Sequence, residues 1–360
     1  MQIESDDVLG KINPKKIIWP LLIGLSVAAW LFFKYYDPSA FRQIDWTTQS
    51  SFWILLALFS VFVRDYAYMI RIRELTDYKL TWYRSFIVIM LWEFSSALAP
   101  AILGGGFIFA IYILNREKIN MGASITAIMF TSFLDGVFLA VMAPLVYFTV
   151  GKERLFSSLH PEGIQEMAFG AGFYYSFWSI YFLIVAYKLF VAYALFVNPK
   201  FIKFLLIKLF SIKFLRRWRN NAVETGNQLI IASAGLRNKN LRYWTIALAA
   251  TFASWTARYT IVNCIIMAFN NLTFENYVIY ARQVIMGIIM LGSPTPGGSG
   301  LAEFMFTDFL GEFIHKGLAP TLGILWRLIS YYPYLIIGAL ILPRWIKEKI
   351  LENRLKKNHE

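Results

Sequence analysis

The segment Gly292-Ser293-Pro294-Thr295-Pro296-Gly297-Gly298-Ser299-Gly300 lies between an apolar run ending at Leu291 and a helix-like run starting at Leu301. Proline removes a backbone donor and glycine loses the most entropy in a helix, so two prolines and four glycines in nine residues break one. Hydrocarbon offers no partner to bare backbone. A break inside an apolar region must therefore be buried in protein or line a wet cavity. Broken helices at membrane depth are where transporters place substrate and ion sites.

The apolar setting is not local. Of 360 residues, 58% are hydrophobic and 16% charged, and the mean hydropathy is +0.52. Soluble domains carry about 25% charged residues. Several runs reach the ~20 residues that span a bilayer. The sequence therefore predicts an all-α polytopic membrane protein forming a single integral membrane domain. Full spans are expected at 17–36, 51–70, 123–150, 169–197, 243–269 and 318–342. The first lacks a small-residue cleavage site and reads as a retained span. Two further apolar regions are interrupted: 85–114 by Pro100 and Gly104-Gly105-Gly106, and 277–310 by the segment above.

The net charge of +13 could suggest nucleic acid. Its distribution points to membrane sidedness instead, and no nucleic-acid partner is expected. If the N-terminus is cytoplasmic and both broken regions are re-entrant, 25 of the 35 Lys and Arg residues fall on the cytoplasmic side. Ten of them lie between Lys200 and Arg242 and six from Arg344 onward. That bias favours both termini inside a cell membrane. The first break then opens from the cytoplasm and the second from outside, the pattern of an inverted repeat with halves at about 17–150 and 243–343. Between them, 198–241 begins as a basic amphipathic segment: Lys200, Lys203, Lys208 and Lys213 alternate with Phe201, Phe204, Leu205 and Phe210. It suits an anionic leaflet surface.

The second break can do one of two things. A helix starting near Leu301 exposes N–H groups that favour an anion, and Gly297, Gly298 and Gly300 let a ligand approach the backbone. A lipid phosphate fits there, and so does a tight turn with no ligand. Glu303 sits at the third helical position, where it can cap the helix, pair with an arginine or bind a cation. Charges at membrane depth are functional candidates: Arg64, Asp65, Glu93, Asp135, Lys188, Arg258, Arg282, Glu303, Asp308 and Arg327. Pairing between helices, and snorkelling by Lys188, are the structural alternatives. Arg258, Arg282 and Arg327 flank the second break, and arginine suits bidentate phosphate binding. Glu93 lies seven residues before Pro100, as Glu303 lies seven after Pro296.

Enzyme signatures are thin. Gly297-Gly298-Ser299-Gly300 matches the Gly-x-Ser-Gly of intramembrane serine proteases, but a serine nucleophile needs a base beside it. His160, His315 and His359 are all expected in loops or the tail. No zinc-binding His-Glu-x-x-His, Walker A loop or dinucleotide fingerprint occurs, so neither metal nor cofactor is expected. Cys264 alone builds no disulfide framework.

The run 287–342 resembles the C-terminal part of the lysylphosphatidylglycerol synthase transmembrane, or flippase-like, family. The resemblance rests on Pro294-Thr295-Pro296-Gly297-Gly298-Ser299-Gly300 with Glu303, then Trp326-Arg327-Leu328-Ile329-Ser330-Tyr331-Tyr332 and Gly338. The first half is similar through Leu98-Ala99-Pro100, Gly104-Gly105 and Leu134-Asp135-Gly136. It departs where the family has Asp-Arg and this chain has Asp135-Gly136. What the resemblance implies is a membrane domain that handles polar or anionic lipids, a transporter and not the aminoacyl transferase. Taken with the residue reading above, the candidate binding positions are Pro100, Gly104, Gly105, Glu93, Asp135, Arg258, Arg282, Gly297, Gly298, Ser299, Gly300, Glu303 and Arg327, with Gly297–Gly300 expected to give backbone contacts, Arg258, Arg282 or Arg327 to hold a phosphate, and Glu303 to gate or couple. The implied partner is a membrane phospholipid or lipid-linked substrate. The alternatives are a non-catalytic subunit of a glycolipid or envelope pathway, with a homo-oligomer or pathway partner, and a hydrolase using Ser299.

Overall fold

The structure, a computed structural model, describes residues 46–99, 106–156, 164–212, 216, 219–270, 275–315 and 318–357. The expected span at 17–36 and the residues Pro100, Gly104 and Gly105 lie outside them. Every regular element described is helical. The longer ones, in chain order, are α1 (Thr48–Leu75), α2 (Trp82–Leu98), α3 (Phe107–Arg116), α4 (Met121–Val150), α5 (Ile164–Ala192), α6 (Pro199–Leu209) and α7 (Arg219–Arg237). There follow α8 (Leu241–Phe269), α9 (Asn276–Leu291), α10 (Leu301–Leu310), α11 (Ala319–Ser330) and α12 (Tyr332–Lys357). Segments within α1, α4, α5 and the α11–α12 pair are long and apolar enough to cross a membrane.

Local sequence sets several starts. Thr47 accepts from the Ser50 amide at 3.1 Å, Asn120 from Ala123 at 2.8 Å and Asn240 from Tyr243 at 3.0 Å. Each such cap contributes about 1 kcal/mol. Long helices then gain most from their buried faces. One core gathers Phe138 and Leu139 of α4, Phe177 of α5, Ile261 and Ile265 of α8 and Ile285 of α9. A second gathers Tyr68 and Ile72 of α1 with Val88 and Leu91 of α2, Ala110 of α3 and Trp345 of α12.

α1 and α8 pack antiparallel along their length. Trp46 meets Phe269 at one end, and Asp77 pairs with Lys239 at the other, which we call the basic end. Both interrupted regions turn back on themselves. Arg84, near the start of α2, lies 3.7 Å from Glu117, which follows α3, and both meet Glu348 or Lys349 of α12 at the basic end. The Gly106 amide donates to Ser96 Oγ at 3.1 Å near the inner tip. The α2–α3 hairpin thus opens to the basic end. Arg282 of α9 donates to the Phe309 carbonyl of α10 at 2.7 Å, and Arg154 after α4 pairs with Glu275 before α9. The α9–α10 hairpin opens to the far end. α2 packs on α12, and α9 correspondingly packs on α4. Two oppositely directed hairpins, each preceded by one of the α1/α8 pair and followed by long helices, form the inverted arrangement that the charge pattern predicts.

Two boundaries differ from expectation. The apolar run read as ending at residue 70 continues helical to Leu75, so Arg71 lies within α1 and is buried. The run at 318–342 breaks at Tyr331, where φ is −130° and ψ −58°. Pro333 lacks the N–H that would continue the ladder from Ile329. The basic segment becomes α6 and α7, which pack on each other, and Gln228 of α7 accepts from the Gly122 amide of α4 at 3.2 Å.

Candidate functional site

The Pro/Gly segment forms a hydrogen-bonded turn. Gly298 donates to Thr295 O at 3.1 Å, Ser299 to Pro296 O at 3.1 Å, and Thr295 Oγ1 to Ser299 O at 2.9 Å. Gly297, Gly298 and Gly300 have φ of +57°, +66° and +86°, a region that disfavours side chains. The N-terminus of α10 already holds an anion: Glu303 Oε2 accepts from the Gly300 amide at 2.6 Å. Its other oxygen accepts from Arg327 Nε at 3.0 Å, and Arg327 Nη1 donates to Gly297 O at 2.9 Å. Glu303 therefore caps and pairs at once, where an external phosphate would have to compete with it.

Tyr331 joins the two breaks. Its hydroxyl donates to Ala97 O at 3.1 Å, at the inner end of α2, and its ring lies where a Cβ on Gly297 would sit. The helix interruption at 331 presents this side chain. Beside it lies a cavity of about 230 Å³, lined by Gly297, Gly298 and Arg327 from the second half and by Glu93 and Ser96 from the first.

A larger cavity of about 980 Å³ adjoins it, sharing Glu93, Ser96, Trp255, Arg258 and Leu291. Its charged lining comes from five helices: Arg71, Glu93, Asp135, Lys188 and Arg258. Arg71 Nη1 lies 2.6 Å from Asp135 Oδ1 and 3.1 Å from Thr251 Oγ1, and Trp255 Nε1 donates to the same Asp135 oxygen at 2.8 Å. Arg258 lies 3.2 Å from Glu93 and donates to the Tyr68 hydroxyl at 3.3 Å. Arg64 stands behind this pair, 3.8 Å from Glu93 and 3.0 Å from Asp65, with its guanidinium over the Tyr334 ring. Three cations and two carboxylates line the larger cavity, so it is formally cationic and suits an anion. Arg258 Nε is buried and makes no hydrogen bond among the described residues. The lining also includes Ile108 of α3 and Leu183 of α5, which are 76% and 73% exposed. The cavity lining therefore reaches the surface at apolar side chains.

The structure brings Glu93, Asp135, Arg258, Gly297, Gly298 and Arg327 to the two cavities, with Ser299, Gly300 and Glu303 in the adjoining turn. Arg282 lies elsewhere. It donates to Arg154 O at 2.9 Å and to Phe309 O, and it pairs with Glu312 at 2.5 Å, bracing the mouth of the second hairpin. Arg282→Met is expected to destabilise the protein by about 1–3 kcal/mol, read in thermal unfolding, because the Phe309 and Arg154 carbonyls each lose a charged donor while Glu312 is exposed. Ser299 stands next to Tyr331. Of the histidines, His315 bonds Asn270 at the far end, and the other two lie outside the described residues. Sequence reasoning missed Arg71 and Tyr331. Arg64, Tyr68 and Arg71 share one helical face, and that spacing is the signal available beforehand.

The family model of the lysylphosphatidylglycerol synthase TM region matches residues 17–338, and the chain belongs to that family. It is similar to a UPF0104 membrane protein of Archaeoglobus fulgidus, 22% identical over 349 residues that cover 93% of this chain and 99% of that protein. No solved structure matches the chain.

Proposed function

We propose that this member of the lysylphosphatidylglycerol synthase TM-region family is a lipid translocase. It carries a polar or anionic phospholipid, or a lipid-linked head group, between leaflets. One observation carries the reading: the lining of a 980 Å³ cavity, which includes Arg71, Lys188 and Arg258, reaches the surface at apolar side chains. A head group in that cavity meets charge, while its acyl chains stay in hydrocarbon outside Ile108 and Leu183. The cost of moving a charged group across the bilayer falls when the protein supplies its partners. The hairpins open to opposite ends and meet at their tips through Tyr331, an arrangement that suits alternating access. The Lys and Arg bias supports a cell membrane location with the basic end in the cytoplasm.

Reconstitution tests this. Proteoliposomes carrying a fluorescent anionic phospholipid are expected to lose the lipid's sidedness faster than empty vesicles. Arg258→Gln is expected to slow that exchange at least tenfold with the fold intact, because Arg64 remains near Glu93. Exchange no faster than in empty vesicles, across several anionic lipid classes, would sink the reading.

A further inference from the structure

The three cations of the larger cavity are not equivalent. Arg71 is held by Asp135, and Arg258 lies 3.2 Å from Glu93. Lys188 forms no ion pair with a carboxylate among the described residues. The Oδ1 of Asp135, the acid on the facing helix, already accepts from Arg71 and Trp255. Lys188 Nζ instead donates to the neutral hydroxyl of Ser132 at 2.6 Å, with the Tyr187 ring 5.0 Å away. An ammonium has three donors, and this hydrogen bond uses one of them.

The lysine is also deliberately seated. Its stem crosses α4 over Gly136, where a Cβ would overlap Cγ and Cδ of Lys188. Gly136 is helical, with no positive φ, so its conformation does not call for glycine. Glycine in mid-helix costs about 0.5–1 kcal/mol relative to alanine. The gain is room for the Lys188 stem, which carries the ammonium inward toward Ser132 and not out along α5 to the surface. Leu183, five residues earlier on α5, and the adjacent Tyr187 line the same cavity and are exposed. The ammonium therefore shares the cavity lining with these exposed side chains.

We propose that Lys188, seated by Gly136 and parked on Ser132, is the residue that takes up the phosphate of a net-anionic head group as it enters the cavity. The assignment rests on reading the cavity as a lipid site and adds the entry residue and the ligand chemistry. Lysine suits this role because its flexible stem and point charge can leave Ser132 for a moving phosphate, whereas Arg71 and Arg258 are tied to carboxylates. Ser132 Oγ holds the ammonium, and Asp135 attracts it from beyond ion-pair distance.

The test is lipid binding, not transport. Purified full-length protein in nanodiscs containing phosphatidylglycerol and phosphatidylcholine of the same acyl chains is analysed by native mass spectrometry for retained lipid. The wild type is expected to enrich phosphatidylglycerol. Lys188→Gln is expected to lower that enrichment about tenfold. Gly136→Ala keeps the charge, favours the helix and displaces only the stem. It is expected to lower the enrichment at least threefold, and to add nothing in a Lys188→Gln background. Unchanged enrichment in Lys188→Gln, or equal effects of Gly136→Ala with and without Lys188, would overturn the proposal. Soluble glycerol phosphate identifies the ligand source. Displacement of the lipid by it in the wild type but not in Lys188→Gln assigns Lys188 to phosphate in general, and no displacement assigns it to the lipid-borne group. Lys188-dependent enrichment without lipid exchange in vesicles would leave this assignment standing and remove the translocase reading.

Discussion

Gly297→Ala is expected to destabilise the protein by roughly 3–5 kcal/mol, and Gly300→Ala by only about 1–2 kcal/mol. Both glycines have positive φ, +57° and +86°, so both variants incur the left-handed backbone cost. Only at 297 would the new Cβ overlap a neighbour, the Tyr331 ring. At 300 nothing lies within 4 Å of it. Tyr331 cannot simply step aside, because its hydroxyl bonds Ala97 O at 3.1 Å and its ring lies against Arg327. Displacing it separates the tips of the two hairpins. Tyr331→Phe keeps the ring and removes one hydrogen bond, an expected loss of about 1 kcal/mol. Thermal unfolding of the three variants in one lipid system ranks them. Equal shifts for Gly297→Ala and Gly300→Ala would mean that the Tyr331 bridge carries no stability.

That bridge shows where sequence reading stops. The helix breaks, the polytopic class and the opposite sense of the hairpins are legible because each follows from local composition or from charge counted loop by loop. What faces a break is not local. Tyr331 lies 34 residues after Gly297 in the chain and reads as part of an apolar span. Its contact with Ala97 depends on how α12 meets α2. Arg71 was hidden for a different reason. Hydropathy ends a span at the first cluster of charges, and Arg71 with Arg73 marks such an end. The helix nevertheless runs on to Leu75, because Asp135 and Thr251 receive the guanidinium inside the protein. Lys188 is the converse case. An isolated lysine in an apolar run reads as a snorkelling side chain, and only the empty space over Gly136 turns it inward. Arg282 and Arg327 are alike in sequence, each in an apolar helix beside the second break. They part only when the hairpin closes, one to its mouth and one to its turn.

Arg327→Met is expected to cost about 3–5 kcal/mol, because it strands a carboxylate and an acceptor together. Arg327 is 5% exposed, and its side chain holds Glu303 Oε1 at 3.0 Å and Gly297 O at 2.9 Å. Without it, Glu303 keeps, among the described residues, the Gly300 amide and the dipole of a ten-residue helix against its desolvation. Arg327→Lys is expected to recover part of the loss, since one ammonium cannot span two acceptors with the geometry of a guanidinium. The decisive comparison is the double-mutant cycle with Glu303→Gln. The glutamine can still accept from the Gly300 amide and no longer needs a counter-ion. Arg327→Met is therefore expected to cost at least about 2 kcal/mol less in the Glu303→Gln background than in the wild type. Chemical or thermal denaturation of the four proteins in the same detergent measures the coupling. Additive losses would mean that Arg327 acts through Gly297 O alone. A strong coupling would make the turn a self-contained ion pair whose anion site is already filled, and would favour the larger cavity, with Lys188 and Arg258, for the phosphate of the proposed substrate.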